Sequence, residues 1–160
     1  MSRGVYLFIT ISAGLITSFV LVLVWLWPVN NNPAIISTSN LKQLSIGNAS
    51  LLVEVADEPV EMFRGLSDRA SIPQNQGMMF VFEKSDQHRF WMKGMLFPLD
   101  FIWIEDGKVV ELSNNILPPS RSNGEVINVY PKVFVDRVIE VNAGWTKANH
   151  VKIGDIVPYP

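Results

Sequence analysis

The chain has 160 residues, with 13 basic against 15 acidic side chains and no cysteine. Lack of cysteine excludes disulfides, a thiolate metal site, a thiol nucleophile and a lipid-accepting thiol. The slightly acidic balance excludes a strongly electropositive nucleic-acid surface, so no nucleic-acid partner is expected.

The first element is an apolar run without a charged side chain, from Val5 to Trp27. A helix rises about 1.5 Å per residue, so this segment matches the ~30 Å hydrocarbon layer of a bilayer and reads as one transmembrane helix. It is longer than the apolar centre of a secretory signal, and Pro28-Val29-Asn30-Asn31-Asn32 offers no small-residue cleavage pattern. Only Arg3 precedes the run and no positive charge follows it before Lys42. The positive-inside rule then leaves the N-terminus in the cytoplasm and the remainder on the extracytoplasmic side of the cytoplasmic (inner) membrane. Trp25 and Trp27 fit an interfacial belt. Thr10, Gly14 and Ser18 recur at four-residue spacing and would line one helix face, as in weakly self-associating membrane helices, although small residues are common in any such helix.

Residues 1–27 are thus assigned to a short N-terminus and anchor, and 28–40, polar and punctuated by prolines, to a tether. Residues 41–160 form an external globular domain. Setting aside Arg3 leaves 12 of the basic groups against 15 acidic ones, a net of −3 for the rest of the chain.

Within the domain, Leu51 to Ala56 alternates as a strand. Asp57-Glu58-Pro59 then opens a helix, with acidic groups near its positive end and proline in its first turn. Met62, Phe63 and Leu66 fall on one side of that helix and are expected to dock on a sheet. Ser71 to Gln76 reads as loop. Gly77 to Phe82, apolar on both faces, reads as an interior strand. Arg89 to Lys93 gives another strand. Two β-rich runs between Phe97 and Leu112 flank Asp106-Gly107, a favoured pair for a two-residue hairpin turn. Asn114 to Glu125 reads as a long loop, Val135 to Val141 as a strand, Trp145 to His150 as one helical turn, and Ile156-Val157 as a last strand. The fold class is mostly β with one or two short helices (α+β), a small β-sandwich or partly open barrel preceded by one transmembrane helix.

Several polar groups keep apolar company. Leu99, Phe101 and Trp103 point one way along their strand, and Asp100, Ile102 and Ile104 the other, so Asp100 enters a strand covered on both sides. A carboxylate there is costly unless paired, and the expected partner is Lys93, Arg64 or Arg69. Lys93 shares the side of Trp91, and Glu140 sits between Ile139 and Val141. Arg64, Arg69, Trp91, Lys93, Asp100 and Glu140 therefore make a candidate cluster. It reads either as a polar pocket walled by Trp91 that binds a small polar ligand, or as ion pairs that pin the sheet register. His88 and His150 have no metal-ligand spacing, no serine lies in a nucleophile elbow, and there is no glycine-rich phosphate loop, so no metal or cofactor is expected.

Met62-Phe63-Arg64-Gly65-Leu66 with Arg69, Gly77 to Phe82, Phe90-Trp91-Met92-Lys93, Pro98-Leu99-Asp100, Val138 to Gly144 and Gly154 to Val157 together resemble the domain of unknown function 192 family, over about Leu51 to Val157. The resemblance implies a small, mostly β fold with a short helix, often following a signal or anchor segment, and it implies no activity. The family usually has methionine where this chain has Ser67, and Asn-Thr where it has Gly94-Met95. The expected role is a membrane-tethered binding or structural module of the envelope. The alternatives are an envelope enzyme acting on a carbohydrate or other polar substrate through Asp100 and Glu140, and an accessory subunit held by its anchor.

Overall fold

A computed structural model describes residues 41–160; the anchor, the tether and the Thr10, Gly14, Ser18 face lie outside the described residues. Among the described residues no helix is long and apolar enough to cross a membrane.

Eight strands and two short helices follow in the order β1 (Leu41–Ile46), β2 (Ala49–Ala56), α1 (Pro59–Arg64), β3 (Gln76–Asp86), β4 (Phe90–Trp91), β5 (Leu99–Glu105), β6 (Lys108–Ile116), β7 (Asn128–Val129), β8 (Val135–Asn142) and α2 (Trp145–Ala148). Six strands form one open sheet in the order β1-β2-β3-β8-β5-β6, and β4 and β7 form a separate two-stranded ladder. The fold is thus an open sheet and not a sandwich of two comparable sheets. The β2–β3 pairing is parallel, and the crossover it requires carries α1; the other pairings are antiparallel.

Local chemistry accounts for these boundaries. Pro59 occupies the first turn of α1, where a missing N–H costs nothing, and Gly65 ends the helix at φ 51°, donating its N–H to the Glu61 carbonyl. Asp106 and Gly107 take φ of 51° and 71°, the two positive values that a type I′ hairpin between β5 and β6 demands. Gly77 is required for a different reason. A Cβ there would lie 2.5 Å from the backbone carbonyl of Glu140 on β8, so only glycine lets the two central strands approach.

The sheet is apolar on both faces. One face carries Leu51, Val53, Met79, Ile102, Ile139 and Val141 and is covered by Trp145, Val151 and Val157. The other carries Met78, Phe80, Phe101, Trp103 and Val138, covered by Leu66, Ile72, Phe90, Met92 and Val129. Each large side chain removed from water contributes roughly 1.5–3 kcal/mol, so the two cores dominate stability. Trp103 is fully buried and donates its indole N–H to Ser113 Oγ at 2.9 Å, so its one polar group is satisfied.

Several expectations need correction. β1 precedes the first anticipated strand and pairs with β2 across the Gly47-Asn48 turn. Only Phe90–Trp91 of the anticipated Arg89–Lys93 strand is regular, and β6 runs on to Ile116, into the anticipated loop. Ile156 makes only an isolated bridge to Lys108. It also accepts a hydrogen bond from the Gly47 N–H, so this C-terminal stretch ties the first hairpin to the far edge of the sheet. Of the α1 residues expected to dock, Leu66 is buried and Met62 packs against the core, while Phe63 is 69 % exposed.

Candidate functional site

The site is built around Glu140 on the central strand β8. Register places Glu140 opposite Met78 on one side and Phe101 on the other, so its side chain lies on the Phe80/Phe101 face of the sheet. The chain from α1 to Ser67 passes over it, and β4 with Met95 closes the flank. Between them is a chamber of about 30 Å³ lined by Phe63, Arg64, Gly65, Ser67, Phe80, Trp91, Met95 and Glu140. Gly65 keeps the roof thin, since a Cβ there would sit 3.3 Å from Phe80 and 3.9 Å from Glu140 Oε2.

Glu140 is buried, and its Oε2 has no hydrogen-bond partner. Burial pushes its carboxyl up to about 8, against a smaller pull downward from the Arg69 guanidinium. Arg69 does not pair with it directly. Its guanidinium grips Glu54 with both Nη atoms, one contact measuring 2.7 Å, and that bidentate pair raises the Arg69 pKa. At neutral pH Glu140 is therefore a protonated acid, able both to donate and to accept.

A larger surface cleft of about 270 Å³ adjoins the chamber, lined by Phe63, Arg89, Trp91, Lys93, Val126 and Asn128. Phe63 and Trp91 belong to both spaces and meet edge to face at 5.6 Å. The Arg89 guanidinium lies 5.3 Å from the centre of the Trp91 ring, a cation–π placement. Ser67 Oγ donates to the Lys93 carbonyl at 2.9 Å, fastening the Lys93 backbone to the end of the helix.

Asp100 lies elsewhere. It is fully buried, and its register opposite Val141 directs it to the face away from Glu140. Its Oδ1 accepts from the Asn115 N–H at 2.8 Å, and its Oδ2 from the N–H groups of Gly144 (2.9 Å) and Thr146 (3.2 Å) and the Thr146 hydroxyl (2.7 Å). That hydroxyl also lies 2.8 Å from the Asn114 side chain. The contacting atom is the amide oxygen Oδ1, so the single hydroxyl proton faces two acceptors, Asp100 Oδ2 and Asn114 Oδ1. The expected cation partner of Asp100 is thus replaced by backbone donors and one hydroxyl, which pin the loop after β8 and the start of α2.

Of the six candidate residues, Arg64, Trp91 and Glu140 line the chamber and Lys93 the adjoining cleft; Arg69 flanks them through Glu54, and Asp100 is separated by the sheet. The two-carboxylate arrangement of Asp100 and Glu140 does not exist. Sequence reasoning missed Arg89 and Phe63. Arg89 was within reach, because strand alternation puts positions 89, 91 and 93 on one side. Among the described residues no group of three or more acidic or histidine side chains gathers to hold a metal.

An α+β domain with an open six-stranded mixed sheet and a carboxyl-floored chamber on one face defines the class. The family profile of DUF192, described as Uncharacterized ACR, matches residues 42–159, and the chain belongs to that family. A Sinorhizobium meliloti protein, provisionally named a transcription regulator, is 29 % identical with a TM-score of 0.65, over 74 % of this chain and 92 % of its own. A Novosphingobium aromaticivorans protein of unknown function has the same fold at 24 % identity and a TM-score of 0.69, over 79 % of this chain and 92 % of its own. No curated protein matches the chain.

Proposed function

We propose that the protein is a membrane-tethered, extracytoplasmic module that binds a small polar ligand in the Glu140 chamber. One observation carries the binding part. A buried carboxyl with an unpartnered oxygen is costly, and the fold places that oxygen at the wall of a space that a ligand can enter. A group serving only to pin the sheet would be saturated, as Asp100 is. The tethering part rests on the uncharged run Val5 to Trp27 and on Arg3 preceding it.

The regulatory name of the Sinorhizobium meliloti relative gains no support from charge, because a net of −3 after the apolar run argues against the extended basic surface that nucleic-acid binding needs. A carboxylate-pair enzyme is disfavoured by the separation of Asp100 from Glu140.

Tethering is tested by adding protease to intact spheroplasts, which should remove the 41–160 domain; protection until lysis refutes the topology. Binding is tested by a thermal-shift screen of polar metabolites against the full chain in detergent. A ligand at about 100 times its Kd should stabilise by about 2.7 kcal/mol, a shift of several degrees. The expected hit raises Tm in the native protein and not in Trp91→Ala. A screen in which no compound shifts the native protein refutes the binding role.

A further inference from the structure

Resting on that binding role, we propose that the ligand is a small hydroxylated organic anion: its carboxylate or phosphate sits at the mouth among Arg64, Arg89 and Lys93, and its hydroxyl enters the chamber to meet Glu140.

The cations are the first argument. Arg69 and Arg137 each have a carboxylate partner, whereas Arg64, Arg89 and Lys93 form no ion pair among the described residues. All three line the chamber or the cleft, and no acidic side chain lines the cleft. In a chain with a net negative charge, three cations without an ion pair along the chamber and the cleft that adjoins it make a local positive field that draws anions in. One of them is set in place: Arg89 lies against the Trp91 ring, while Ser67 holds only the backbone of Lys93. A positioned cation beside an aromatic wall loses less freedom on meeting an anion than a freely rotating one.

Size and polarity give the second argument. The chamber, about 30 Å³, has room for one or two groups the size of water, while the cleft of about 270 Å³ takes the bulk of a compound of a few carbons. The group that reaches Glu140 is therefore a single small polar one. A neutral acid there matches a hydroxyl, since each can donate to and accept from the other. An ammonium group would need an ionised carboxylate and would have to pass three cations. The pocket thus selects against amines by charge and against simple fatty acids by leaving Glu140 Oε2 unpaired.

The test uses the full chain in detergent with fluorotryptophan at its five tryptophans, the Trp91 resonance being assigned by Trp91→Phe. The probes are glycerate and glycerol 3-phosphate as hydroxylated anions, propionate without hydroxyls, glycerol without charge, ethanolamine as a cation, and phosphatidylglycerol as a lipid source of the same chemistry. Glycerate or glycerol 3-phosphate should shift Trp91 saturably, with propionate, glycerol and ethanolamine at least ~10-fold weaker. Arg89→Met with Lys93→Met should weaken the binding anion ~10-fold or more while the buried Trp103 and Trp145 resonances stay in place; Lys93→Gln alone should weaken it by a smaller factor. Glycerol binding as tightly as the anions overturns the anion assignment and leaves the chamber a polar ligand site. A response to phosphatidylglycerol alone overturns it in favour of a headgroup. Silence of Trp91 towards every probe overturns it outright, and the metabolite screen then decides whether any binding role survives.

Discussion

Glu140→Gln removes an ionisable proton while keeping the size and polarity of the side chain, so it isolates the effect of burial on the carboxyl. Burial raises the folded-state pKa to about 8 from an ordinary value of 4.5. Between those values the folded protein holds a proton that the unfolded chain has released. Stability is therefore greatest at the acidic end of this window and falls as pH rises through it, by about 1.4 kcal/mol per unit at most. From about pH 5.5 to about pH 7.5 the native protein should lose about 2.5 kcal/mol through this group, and Glu140→Gln should lose none of it. Other titrating groups are common to both proteins and drop out of the difference. Urea unfolding of the full chain, followed by the fluorescence of the buried Trp103 and Trp145, gives both curves. The absolute stability of the variant is immaterial; the difference in slope is the measurement. Parallel curves, within about 0.5 kcal/mol across the window, would show that Glu140 is ionised in the fold and refute the protonated-acid description.

Three further outcomes follow from the same geometry. Asp100→Ala removes the acceptor shared by the N–H groups of Asn115, Gly144 and Thr146, strands the buried Thr146 donors and empties a fully buried site, and should cost about 3 kcal/mol in denaturant unfolding; a loss under about 1 kcal/mol would mean that water replaces the carboxylate. Lys93→Met should cost less than about 0.5 kcal/mol, and combining it with Asp100→Leu should restore nothing, because the two residues share no partner; a coupling above about 1 kcal/mol in the double-mutant cycle would revive the register-pin reading. Gly77→Ala forces β3 away from the Glu140 carbonyl and should cost about 1–3 kcal/mol in thermal unfolding, with a broadened Trp91 signal if the chamber opens; an unchanged Tm would show that the strands already have slack.

The hairpin at Asp106-Gly107, the two-faced strand from Gly77 and the late strand before Asn142 were legible because each depends on local pattern: a turn dipeptide, a continuous apolar run, a β-branched stretch. β1 was not, since Leu41 and Leu44 are spaced for a helix and the strand is made by its pairing with β2. Of the charged residues singled out, Asp100 and Glu140 are buried as their apolar neighbours implied, Arg64 and Lys93 are exposed, and the pairing of none was readable. The donors that satisfy Asp100 are mostly backbone N–H groups as far away as position 146, and backbone donors carry no side-chain signature. Ser67 and Gly94, two departures from the family pattern that read as separate, are neighbours: a Cβ on Gly94 would lie 3.1 Å from the Ser67 Cβ. Smallness at one position accommodates the other, and Met95 beside them lines the chamber together with Ser67.

The tie between Ile156 and both Gly47 and Lys108 gives the domain a direction in time. A ribosome delivers the first hairpin before its distant clasp, which follows every strand of the sheet, and β3 likewise waits for β8, its antiparallel neighbour. Through most of synthesis the apolar edge of β3 therefore stands open to any strand that passes, the condition in which wrong pairing and aggregation compete best. The decisive step waits until β8 and the clasp have both emerged, and a factor that shelters unfinished chains would matter to this protein chiefly before that point.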